Sequence, residues 1–337
     1  MAKVVRALLL VAAAIGTGAA QVPASRSTPL FDVTSDDFWL NLHHYLYVIG
    51  RARTGAADAR QPAVASAPAD EDQGRAVLTD AERRIWDDAV TAYANGLSRR
   101  TSFLEPALAS TTLALGGTGA AETFPSSTVD PGTRASLERA APVYRKAWWP
   151  RHRAMNEQYQ RTLRQMVDRD GPAMLAFLTR AYRIEWPARP YPVHLVAYLN
   201  FAGAFSITNG AIVMSTNSYP ANEGWYPLES AFHEALHQWD DEVARLLRAE
   251  AMARGVSVPV DLSHTLIFFT AGEAVRRLHP EHVPMIDALN LWQVRLSGAR
   301  VPPQRLQAAL LEIWRPYLDG RGMRDEAFGQ LLEAAAR

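Results

Sequence analysis

The chain has 337 residues, with 35 Lys and Arg against 35 Asp and Glu, so its formal net charge is zero. That balance argues against a protein held to nucleic acid by bulk charge. It has no cysteine, which excludes disulfides, thiolate metal ligands and a cysteine nucleophile. The length suits one large domain or two modest ones.

Residues 1–20 read as a secretory signal. Lys3 and Arg6 form a basic start, residues 7–15 a short apolar core, and Gly18, Ala19 and Ala20 a small-residue cleavage site before Gln21. The apolar run is shorter than the roughly 20 residues a bilayer demands. The expectation is an exported protein, periplasmic or secreted, with no membrane span in the mature chain.

Residues 21–34 are polar and expected to be extended. Ser35, Asp36 and Asp37 are expected to cap a helix whose apolar side runs through Phe38, Trp39, Leu42, Tyr45, Leu46 and Ile49. His43 and His44 on it read as partly buried residues satisfied by hydrogen bonds. Residues 53–78 carry almost no large apolar side chain and read as a flexible loop. Thr79 and Glu82 open the next helix, through Ile85, Trp86, Val90 and Tyr93. A short helix is expected over 105–115 and a second loop over 116–133. Residues 134–167 read as helix, interrupted at Pro150, with His152 and Asn156 on one face, more suited to packing than to binding. Gly171-Pro172 is expected to start another helix, ending before Trp186-Pro187.

Three short strands follow: Val193 to Leu199, Phe205 to Ile207 and Ala211 to Met214, the last two joined across Asn209-Gly210, a strong hairpin signal. Then comes Phe232-His233-Glu234-Ala235-Leu236-His237-Gln238-Trp239-Asp240, after Pro227 as a helix starter. Residues four apart share a helix face, so His233 and His237 can point two imidazoles at one ion. Zinc takes imidazole nitrogen readily. Glu234 stands where it could remove a proton from a water held there. Phe232, Leu236, Trp239 and Val243 form the buried stripe. His233, His237 and Asp240 fall within roughly 60° of one another beside it. Residues 261–278 form an apolar helix carrying His264 and Glu273, and 304–336 two amphipathic helices divided at Asp319-Gly320.

The expected fold is α+β, mainly helical with a small sheet. The expected regions are an N-terminal helical part (21–133) and a metal-bearing part (134–337), which could form one continuous domain.

A catalytic zinc site has three protein ligands, and the third candidates are Glu273, His264 and Asp240. An unpaired buried carboxylate is costly, so Glu273 needs a partner; Arg276 and Arg277 would serve, a metal better. Asp240 suits the role poorly, because one helix does not readily place three ligands tetrahedrally. The order of strand, Asn-Gly hairpin, strand, His-Glu-x-x-His helix and a second helix with Gly272-Glu273-Ala274-Val275-Arg276 resembles the gluzincin zinc metallopeptidases over residues 193–278. The resemblance implies a zincin-like core, one zinc ion, His233, His237 and Glu273 as ligands, Glu234 as base, and an edge strand that holds a peptide substrate. The chain departs from that pattern in lacking an acidic residue shortly after Glu273. Asp240 or Asp241 would then orient a ligand histidine. His264, His279, His282, Tyr317 and Arg276 are candidates to stabilise the transition state. The expected function is an exported zinc metallopeptidase acting on a peptide or protein. The alternative is a catalytically inactive, zincin-like metal- or protein-binding module of the cell envelope.

Overall fold

The computed structural model describes residues 29–54, 62–100, 105–199, 203–207, 210–217, 223–260, 262–290, 292 and 302–336. The signal-like segment lies outside them. The fold is α+β: mainly helical, with one four-stranded mixed sheet.

The strands are β1 (Phe31–Thr34), β2 (Tyr191–Val196), β3 (Ala204–Ser206) and β4 (Ile212–Ser215). Their order is β1-β2-β4-β3. β1 and β4 run parallel to β2, while β3 runs antiparallel to β4 and forms one edge. The expected hairpin is therefore present as the pairing of Ala204 with Met214 and Ser206 with Ile212. Its turn residues Thr208 and Asn209 lie outside the described part.

Alternation along the strands divides the core in two. Phe31, Val33, Val193, Leu195, Ile212 and Met214 face one helical layer. It is built from the later part of α6 (Trp149–Tyr182), α7 (Tyr226–Leu236), α8 (Asp240–Arg254), α9 (Leu262–Leu278) and the C-terminal helices. Val196, Phe205 and Val213 face the other, built from α1 (Phe38–Arg53), α2 (Pro62–Arg75), α3 (Asp80–Asn95), α4 (Pro106–Leu115) and α5 (Pro131–Ala147). The sheet is thus covered on both faces. Among the described residues no helix is long and apolar enough to cross a membrane.

Several expectations need correction. Part of the expected loop 53–78 is α2. It offers small and acidic side chains to its neighbours instead of large apolar ones. Gly74 lies so close to Trp148 that an added Cβ would sit 2.1 Å from the indole nitrogen. Asp70 accepts hydrogen bonds from Tyr45 (2.7 Å) and from Arg151 Nε (2.9 Å), and pairs with His152 (3.0 Å). Glu71 accepts from Trp86 Nε1 at 2.7 Å.

Pro172 does not start a helix but lies inside the 34-residue α6. The break comes earlier, at Trp148, with Pro150 in the first turn. Asp37 occupies the N-cap of α1 but makes no side-chain capping bond. Its carboxylate instead accepts from Thr34 (2.8 Å) and the Gly119 amide (2.8 Å) and pairs with His194 (2.7 Å). His43, His44, His152 and Asn156 are all buried, and Asn156 bridges Asn41 and Thr216 in the core.

Candidate metal centre

Pro227 stands in the first turn of α7, where its missing N–H costs nothing. Phe232 and Leu236 are fully buried and press the helix against the sheet layer. This leaves His233 and His237 together on the adjacent face. α7 ends at Leu236; a 3-10 turn, His237–Trp239, leads into α8. α9 packs on α7 and brings His264, in its first turn, to the same place.

The three imidazole rings form a nearly equilateral triangle. Centroids lie 5.1 Å apart for His233–His237, 5.3 Å for His233–His264 and 5.1 Å for His237–His264. One ligand atom from each lies within 4.8 Å of the other two. Tetrahedral zinc at about 2.1 Å from each nitrogen would hold them about 3.4 Å apart, so modest rotamer adjustment suffices. Three neutral imidazoles suit zinc chemically. Phe268 packs against His233 at 4.1 Å between centroids and makes one wall.

Glu234 is recessed, and its carboxylate faces two of the imidazoles. Oε1 lies 3.8 Å from His233 Nε2 and Oε2 lies 3.9 Å from His237 Nε2. The other nitrogen of His237, Nδ1, donates to Asp240 at 2.8 Å. That bond fixes the tautomer, so Nε2 carries the lone pair toward the centre of the triangle. Of Asp240 and Asp241, Asp240 is the one with a hydrogen bond to a histidine of the cluster.

Glu273 is elsewhere, and the assignment of it as third ligand is corrected. It follows His264 by nine positions (273 − 264), about 13.5 Å along α9 and half a turn round. Its fully buried carboxylate is held by Arg276 (3.0 and 2.7 Å), Arg277 (2.8 Å) and Arg315 (2.9 Å). Burial pushes its pKa up, but the Arg276 and Arg315 hydrogen bonds outweigh this and hold it below the usual carboxylate value. The partner that a buried acid requires is thus a set of guanidiniums, one from the C-terminal helices.

The other transition-state candidates are also engaged away from the triad. Tyr317 donates to the Ala181 carbonyl at 2.7 Å. His279 pairs with Asp170 at 3.0 Å and stacks on Trp225 at 3.6 Å. His282 binds Glu229 at 2.6 Å. Tyr191, at the start of β2, has its pKa raised by burial and then by the negative charges of Glu234 and Asp240.

Comparison of the chain with protein-family models, with curated proteins and with solved structures finds no match.

Proposed function

We propose that the protein is a zinc-dependent hydrolase, a zincin-like metallopeptidase whose three ligands are His233, His237 and His264. The observation that carries this reading is the carboxylate of Glu234 set 3.8 and 3.9 Å from two imidazole nitrogens of a three-histidine cluster. A site that only bound metal would have no use for a base there. When bound, zinc would polarise the scissile carbonyl and acidify the attacking water.

The chain's own groups would do the rest. Glu234 takes the proton from the attacking water and hands it to the departing amine. Asp240 keeps His237 in the tautomer that presents Nε2. His264 in place of a carboxylate ligand leaves the charge of the ion undiminished, which favours both of its roles. The resemblance to gluzincins narrows accordingly to the His-Glu-x-x-His helix and the strands before it. It still implies that β3, the sheet edge beside α7, receives the substrate backbone as an added strand. The signal-like start of the chain goes with an exported enzyme acting in the periplasm or outside the cell.

The test is zinc content and cleavage of a mixed peptide library by the wild type and by Glu234→Gln. The expected result is one zinc per chain in both, with cleavage only in the wild type. Zinc without cleavage in either would favour the binding module, and absence of zinc would sink both readings.

A further inference from the structure

α7 and α9 meet rung by rung, like a ladder. At one end Glu229 faces Gly272, where an added Cβ would lie 2.9 Å from the carboxylate Oε1. Next, His233 packs on Phe268 at 4.1 Å between ring centroids, and then His237 on His264 at 5.1 Å. Each rung advances four residues along the motif segment (229, 233, 237) and retreats four along α9 (272, 268, 264). The two segments therefore run antiparallel, about one helical turn per rung. The second and third rungs make the candidate metal centre. The first lies outside it.

That first rung is buried and carries a carboxyl group. Glu229 has no exposed surface. His282 Nε2 donates to its Oε2 at 2.6 Å, and the Met285 amide donates to both of its oxygens at 3.0 Å. Tyr226 packs edge-on against the same His282 ring at 5.1 Å. His282 and Met285 lie four and seven residues beyond the end of α9 (282 − 278, 285 − 278). Glu229 thus holds α9 by the segment that continues it. Pro284 of that segment closes over Gly272, and a Cβ there would lie 2.6 Å from Pro284 Cβ.

An apolar side chain at position 229 would fill this space at a lower desolvation cost. What the carboxyl group adds is direction. Buried polar groups are best attested as devices that fix one register against its alternatives. A slip of one turn would move α9 by about 5.4 Å. Zinc–nitrogen bonds of about 2.1 Å could not span that gap. We propose that Glu229 is a positioning residue: through His282 and the Met285 amide it sets the lengthwise register of α9 on α7, and so keeps His264 at the metal. Gly272 is its counterpart on α9, the point where the absence of a side chain lets the carboxyl group and Pro284 close in. The role rests on the three-histidine reading of the centre.

The experiment measures zinc Kd by chelator competition in full-length wild type, Glu229→Ala, His264→Ala and the double variant, each held below its Tm. Glu229→Ala is expected to raise Kd about 10- to 100-fold. In the His264→Ala background the same change is expected to leave Kd almost where it was, because the residue it acts through is gone. A general loss of stability would not depend on His264 in this way. Glu229→Gln keeps the length and one acceptor oxygen, and is expected to recover most of the affinity. Gly272→Ala perturbs the same rung from the α9 side and is expected to raise Kd with the same dependence on His264. Wild-type Kd in folded Glu229→Ala (or in Gly272→Ala, should Glu229→Ala not fold) would overturn the role and leave the metal centre standing. Equal losses with and without His264 would do the same. A wild type that binds no zinc would remove the centre itself, and this role with it.

Discussion

At the scale of single residues, His237 shows how two ring nitrogens divide their tasks. Nδ1 is held by Asp240 at 2.8 Å, and Nε2 turns toward the triad. Removing such an orienting carboxylate usually weakens metal binding 10- to 100-fold. Asp240→Ala is therefore expected to raise the zinc Kd by about that factor, measured by competition with a chromophoric chelator. Wild-type affinity in that variant would show that Asp240 is incidental. The His-Glu-x-x-His spacing was fully legible in the sequence, because helical periodicity alone brings those residues together. The third corner was not. His264 was visible as a candidate, yet Glu273 ranked ahead of it, because a carboxylate on an apolar helix needs a counter-charge. Arg315, 42 positions later (315 − 273), supplies part of it, and no local pattern connects the two.

At the scale of elements, Glu273 is a clamp. Through Arg315 it ties α9 to α12 (Arg315–Leu318), one of the C-terminal helices α11 (Pro303–Ala309), α12 and α13 (Arg324–Ala336) that continue α9's layer beyond the short α10 (Met285–Ala288). Arg277 extends the link to Asp319, and Trp314 donates to Thr270 at 2.9 Å. Removing one member of a buried charge cluster leaves the rest uncompensated. The three arginines keep partial access to water, so Glu273→Ala should cost about 2–4 kcal/mol, read from urea unfolding. Its zinc affinity should stay near wild type, whereas His264→Ala should lose zinc without a comparable loss of stability. The opposite pattern would restore Glu273 as a ligand. Most helices were legible from apolar spacing and caps, as with Thr79 and Glu82, which form the expected capping box. α2 was not, because what it buries is glycine, alanine and two acids against Trp86, Trp148 and His152. Composition records such residues as loop-forming, and only the partners reveal the packing.

At the scale of the whole molecule, the covered sheet sets the response to acid. His43 and His44 lie in the interior on α1. Burial pushes His43 down to about 3 and, with the charge of His43, holds His44 well below the usual histidine value. An unfolded chain would protonate both near pH 6.5. Below that pH the unfolded state binds more protons than the folded one, so stability falls as pH drops, and the His43 contribution levels off near pH 3. Each histidine contributes a slope of about 1.4 kcal/mol per pH unit within its window. Urea unfolding between pH 7.5 and 5 should show the decline, and His43→Gln should reduce its slope. Stability that stays level or rises over that range would contradict the burial of neutral imidazoles. The α+β class was readable from the change of pattern near residue 190. The covering of both sheet faces was not, because β1 looks like a polar extended segment until its partner is known.

That partner arrives late. β1 pairs Phe31 with Tyr191, 160 positions away (191 − 31). Closing so long a loop is entropically slow, and contacts of high sequence separation delay folding. The layer formed by α1 to α5 is largely local in sequence and can gather first. The strand that opens the described chain must wait until β2 has been made before it finds its place. The closing of that long loop, and not any local pattern near Phe31, is what joins the first described strand to the sheet.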